Sequence, residues 1–220
     1  MGKPMENRSK AATLASARGF LFSLTILCLV GAGAWFGYVQ FFTKGLQHLP
    51  AKVCEDTVDR KLVTQVLPSA RSAEESSRRR HSGEDLEFYC HVDTSGDSSL
   101  LGETRVRAVS KGDWLKSYQE GKDIDHYVRA SFGDIEALAS RDSEYAAIYV
   151  PCTPQPTNNA ASDRAVITRV FVSGASKEAG VALRQTLTDI AYQLTEHVYK
   201  IAECQEIRNF PSQLPRYQGQ

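Results

Sequence analysis

The chain has 220 residues, with 26 lysines and arginines against 26 aspartates and glutamates, so its formal charge is zero. That balance, with no interleaving of basic and aromatic residues, excludes the electrostatic footprint by which proteins hold nucleic acid. An apolar content of 42% and this length fit one packed domain of modest size plus an additional segment.

The additional segment comes first. Residues 1–19 make a short basic tail in which Lys3, Arg8, Lys10 and Arg18 are opposed only by Glu6. Residues 20–42 then carry no charge. At about 1.5 Å per residue a helix of that length reaches roughly 34 Å, enough for a hydrocarbon core of roughly 30 Å, so a transmembrane helix is predicted. Trp35 and Tyr38 lie toward its outer end, where amphipathic rings favour the headgroup level. The basic tail keeps the amino terminus in the cytoplasm and puts the rest outside the plasma membrane, although Lys44 and Lys52 weaken the asymmetry.

The rival expectation is a signal peptide cleaved near Ala34, after the small residues Ala32 and Gly33, releasing a secreted domain. The apolar run continues through Trp35, Phe36, Val39, Phe41 and Phe42, as in an uncleaved signal-anchor. Bulky Leu27 before Cys28 excludes lipid attachment there, and Glu6 stands where a myristoylation site needs a hydroxyl. Gly33 and Gly37, four apart, offer a face on which two spans could pack.

Beyond the span we expect a stem over 43–53, an extracytoplasmic domain over 54–208 and a tail over 209–220. Cys54 opens a short amphipathic helix marked by Val58, Leu62, Val66 and Leu67 and ended by Pro68. Residues 69–83 are rich in Ser, Glu and Arg without apolar periodicity and read as a solvated loop. Leu86, Phe88, Cys90 and Val92 alternate with Glu87, Tyr89 and His91, predicting a strand with Cys90 facing inward. A turn through Ser95, Gly96 and Asp97 leads to a second strand carrying Thr104, Val106 and Ala108. A short helix is expected over 113–120, then a hairpin from 135–139 to 145–150 turning near Arg141 and Asp142. A loop with Pro151, Pro154 and Pro156 precedes an apolar strand over 165–172. Leu183, Leu187, Ile190, Leu194, Val198 and Ile201 then step by three or four through a long helix starting near Ser176, with Cys204 continuing the stripe.

Two helix-strand-strand units imply an α+β domain, with helices on one face of an antiparallel sheet of about five strands. Cys54, Cys90, Cys152 and Cys204 are even in number on the side assigned as external, which predicts two disulfides in an oxidising compartment. Of the three connectivities, pairing within each unit joins Cys54 to Cys90 and Cys152 to Cys204. The wide separations exclude the close ligand pairs of a structural zinc site, and Cys28 inside the span is an inert small hydrophobe.

Chemistry is sparse. There is no Gly-x-Ser-x-Gly frame, no serine followed by lysine at the penicillin-binding spacing and no phosphate-binding glycine loop. His91 and Asp93, with Asp97 nearby, are the candidates for a catalytic pair or metal site, against the ordinary reading of a solvated strand face. Asp123, Asp125 and His126 lack the framing of a calcium loop and read as a polar turn, while His197 beside Glu196 reads as a half-exposed surface histidine. Arg78, Arg79 and Arg80 offer electrostatic contact to an acidic partner or anionic headgroups. No metal or cofactor is expected.

In plan, with a short tail, a stem, a cysteine-stapled α+β domain and a strand ending Tyr149, Val150, Pro151, Cys152 before a further strand and long helix, the chain resembles small single-span or lipid-anchored outer proteins of actinobacteria. The resemblance implies location and architecture and carries over no active-site residue. The expected function is a non-enzymatic, membrane-tethered binding or sensing module, with the membrane itself and an envelope or membrane protein as partners. The alternative is an anchored envelope hydrolase using His91 and Asp93.

Overall fold

The computed structural model describes residues 22–38, 44–82, 85–119, 126–141, 145–152, 164–204, 208–212 and 214–217. The chain divides into two compact units, 1–43 and 44–220. In the first, helix α1 covers 22–38, and Phe22, Leu27, Leu29, Trp35 and Phe36 are all at least two-thirds exposed on it. Among the described residues no helix is long and apolar enough to cross a membrane. Residues 20, 21 and 39–42 of the expected span, and the basic tail, lie outside the described residues.

The second unit opens with a 3-10 turn at Gly45–His48 and a small ribbon of β1 (Lys52–Val53) and β2 (Val58–Asp59). Leu46 and Leu49 are buried in the main core, so the segment expected as stem packs with the domain. Cys54 does not start a helix. Cys54, Glu55 and Asp56 instead hold left-handed backbone with φ of 57°, 57° and 56°, uncommon for residues with a Cβ. The turn is closed by the Thr57 N–H donating to Val53 O at 3.0 Å. Helix α2 follows at Arg60–Val66. It ends because Leu67 precedes Pro68 and is held extended at ψ 140°.

The main sheet has seven antiparallel strands rather than about five. They are β3 (Ala73–Ser82), β4 (Asp85–Thr94), β5 (Ser99–Ala108), β6 (Tyr127–Phe132), β7 (Ile135–Ser140), β8 (Tyr145–Pro151) and β9 (Arg164–Ser173). Their spatial order is β3-β4-β5-β9-β8-β7-β6. The two strands beyond the expected set are its edges. β3 occupies most of the segment expected as a loop and is exposed along nearly its whole length. An edge strand with no buried face shows no alternation, so periodicity does not reveal it.

Helix α4 (Gly180–Ile201) packs on β5, β7, β8 and β9 through Leu183, Leu187, Ile190, Leu194 and Val198, joined by α2 at its side. Ser176–Ala179 precede it as irregular chain, and Cys204 lies beyond its end. Beneath α4 a chain of buried hydroxyls crosses the core, Thr104 to Thr168 at 3.1 Å and Thr168 to Thr195 at 2.6 Å. It satisfies the polar atoms there without water.

Helix α3 (Lys111–Gln119) corrects the expectation of helices on one face only. Its Trp114 packs with Leu138, Ala147, Tyr149, Ala165 and Ile167, the side chains that alternate with the α4-facing ones on β7, β8 and β9. It therefore covers the opposite face. Ser110 caps it: the Asp113 N–H donates to Ser110 Oγ at 3.1 Å, and that hydroxyl donates to Asp113 Oδ2 at 2.7 Å.

Both expected disulfides are present, Cys54–Cys90 and Cys152–Cys204, 36 and 52 residues apart in sequence. The second fastens the chain after α4 to the end of β8. Leu214 and Tyr217 are buried in the main core, so the expected tail also folds into the domain.

Candidate functional site

Alternation along β3 and β4 decides where the residues singled out by sequence stand. Register places Ser76 across from His91, Arg78 from Tyr89 and Arg80 from Glu87. These point to the side of the sheet away from α4, because Phe88, Cys90 and Val92 are buried toward it. Arg79 points to the α4 side, where its guanidinium donates to Glu55 Oε2 at 2.6 Å. The arginine run is therefore divided between two faces and is not one cationic patch.

His91 Nε2 lies 3.1 Å from Asp93 Oδ1, the two side chains 36% and 59% exposed. The structure brings this pair together as its spacing on a strand requires, but on an open surface facing Ser76 and Leu101. Asp97 occupies the left-handed position of the turn between β4 and β5, with φ 58°. Farther along the same face the charges neutralise one another. Arg105 bonds Glu103 and lies 3.6 Å from Glu87, while Arg80 is 3.8 Å from Glu87. Such a ladder is the ordinary dressing of a solvated sheet face.

Asp123 and Asp125 lie outside the described residues, and the His126 ring meets Tyr127 edge-on at 5.6 Å. His197 is more enclosed than expected. Its ring lies 5.1 Å from Phe88 with Glu55 Oε2 at 4.0 Å, and burial pushes its pKa below the usual histidine value. Among the described residues no cluster of three His, Cys, Asp or Glu could hold a metal ion.

A concave feature lies elsewhere among the described residues. A groove of about 640 Å³ runs between α2, the outer face of α4 and Phe210, Pro211, Ser212 and Arg216. Its floor is the polar stripe of α4, where Gln185, Asp189, Tyr192, Gln193 and Glu196 recur at helical spacing. One wall is fixed by a two-point contact: the Asp59 N–H donates to Gln193 Oε1 at 2.9 Å, and Gln193 Nε2 donates to Asp59 Oδ2 at 3.0 Å.

The other wall is the carboxyl-terminal chain. Tyr192 donates its hydroxyl to Pro211 O at 2.7 Å, and the Tyr217 N–H donates to Gln185 Oε1 at 3.1 Å. Phe210 sits between Tyr192 and Tyr199 at ring distances of 5.8 and 5.2 Å. Arg208 pairs with Asp134 through both carboxylate oxygens. Asp59, Glu178, Asp189 and Glu196 line the groove against Lys61 and Arg216, so it is acidic overall, with Leu62, Tyr192 and Phe210 as apolar contacts.

This groove has no plain mark in the sequence, because the stripe on α4 looks like a solvated helix face and residues 209–220 look like a tail. The available signal was Phe210, Pro211, Leu214, Pro215 and Tyr217, an apolar and proline-bearing end unlike a solvated terminus. The chain matches no family model, no curated protein and no solved structure.

Proposed function

We propose that this chain is a membrane-tethered extracytoplasmic binding or sensing module, non-enzymatic, whose ligand lies in the groove between α2, α4 and the carboxyl-terminal chain. The groove carries the reading: about 640 Å³ falls within the roughly 300 to 1,000 Å³ of small-molecule sites. Its excess of carboxylates, Asp59, Glu178, Asp189 and Glu196 against Lys61 and Arg216, suits a cationic ligand with a short apolar portion against Tyr192 and Phe210. Two disulfides support an oxidising compartment. The uncharged run 20–42 behind a basic tail supports the anchor. Confinement at a surface raises the effective concentration of such a module toward membrane and envelope partners.

The test is a thermal-unfolding titration of the full chain in detergent with spermidine and with arginine-containing dipeptides. The reading expects a saturable rise in midpoint with at least one of these probes, following ligand linkage, and its loss in Asp189→Lys. No shift with any probe, or a shift unchanged in that variant, overturns the assignment of the groove.

A further inference from the structure

Strand β3 forms one edge of the main sheet, and Glu74–Ser82 are exposed throughout. An exposed edge of this length is a template for another strand. Its sequence runs Glu74, Glu75, Ser76, Ser77, Arg78, Arg79, Arg80, acids first and bases after, so that the strand reversed is its own electrostatic complement. We propose that β3 pairs antiparallel with β3 of a second copy of this chain, about a two-fold axis at Ser77.

Symmetry narrows the register. A two-fold axis that continues a sheet into its copy stands perpendicular to the sheet, so each face continues into the same face of the partner and facing residues share one parity. With Ser77 facing its own copy, Ser76 meets Arg78, Glu75 meets Arg79 and Glu74 meets Arg80, each twice. Sliding the register by two residues one way sets Arg78 against Arg78 and removes every glutamate–arginine pair. Sliding it the other way sets Glu74 against Arg78 but turns Glu75 onto Ser77.

The two faces contribute differently. On the α4 side Glu75 already accepts the Cys54 N–H at 2.8 Å and Arg79 already binds Glu55. On the other side Glu74 and Arg80 are exposed, and Arg80 is only loosely held by Glu87 at 3.8 Å. The Glu74–Arg80 pairs therefore set the specificity. The opposite edge, β6, lacks this self-complementarity: its single charge, Arg129, is bonded to Glu136 at 2.6 Å. One strand ladder buries less than the roughly 1,200 Å² of a stable complex, so the pairing is reversible and concentration-dependent.

The test is sedimentation of the full chain in detergent across a concentration series, comparing wild type, Glu74→Arg, Arg80→Glu and the double exchange E74R/R80E. Neither side chain belongs to the core, and intact disulfides with unchanged circular dichroism confirm the fold of each variant. Each single variant sets like charges opposite each other and weakens dimerisation by about tenfold, while the double variant restores it to near the wild-type value. A chain that stays monomeric throughout overturns the proposal. So does a dimer unmoved by the single variants, as packing of the 20–42 segments gives, or a double variant no better than the singles.

Discussion

Gly102 and Leu194 meet with no room for a side chain between them: a methyl built on Gly102 runs into Leu194 Cδ1, with the Cβ of Cys90 next at 3.5 Å. Gly102 faces Cys90 across the β4–β5 pair, so at this point α4 rests directly on sheet backbone beside the Cys54–Cys90 disulfide.

Gly102→Ala is therefore expected to destabilise the domain by about 1–3 kcal/mol through overpacking. Leu194→Ala alone leaves a cavity and costs about 2–5 kcal/mol. The double variant is expected to cost less than the sum, because the new methyl enters the space Leu194 vacates. Denaturant unfolding of the three variants measures this coupling.

The same close packing explains which elements the sequence shows. Leu86, Phe88, Cys90 and Val92 on β4, and Leu183 through Val198 on α4, each bury one face, and one-sided burial writes its period into the chain. β3 buries neither face and β6 little of either, so both edges escape notice. The disulfide pairing was legible because each bridge closes a local unit. The groove was not, because it depends on residues 208–212 and 214–217 folding back over α4, a long-range contact without local signature.

Glu136 is the buried carboxylate that ties α3 to the sheet, 4% exposed, with Lys111 at 2.5 Å and Arg129 at 2.6 Å. Burial works to raise its pKa, but the bonds from Arg129 and Lys111 prevail and hold it below the usual glutamate value. Its contribution to stability is thus fully present above about pH 4.3, the ordinary unfolded value, and is lost as pH falls through the lower folded value. Glu136→Gln is expected to cost about 1–3 kcal/mol at neutral pH, since both cations remain beside a neutral amide. It also flattens the acid limb of the stability curve. Fluorescence of Trp114, 2% exposed on α3, follows the loosening.

The Cys152–Cys204 bridge fastens the chain that leads into one wall of the groove. Replacing both cysteines by serine is expected to cost about 2–5 kcal/mol. Beyond the global loss, the Tyr217 amide that donates to Gln185 should exchange with deuterium faster than amides at the centre of β9. Uniform acceleration across the domain is the contrary result, placing the bridge outside the support of the groove.

The most direct measurement is non-reducing peptide mapping of the chain taken from intact cells, with a membrane-impermeant thiol reagent added before lysis. A tethered outward module predicts Cys54 linked to Cys90 and Cys152 linked to Cys204 in the cell-derived protein, with the peptide from residues 1–19 still attached. Four free, unlabelled thiols at those positions contradict the oxidising, outward location, and the function built on the tether goes with it.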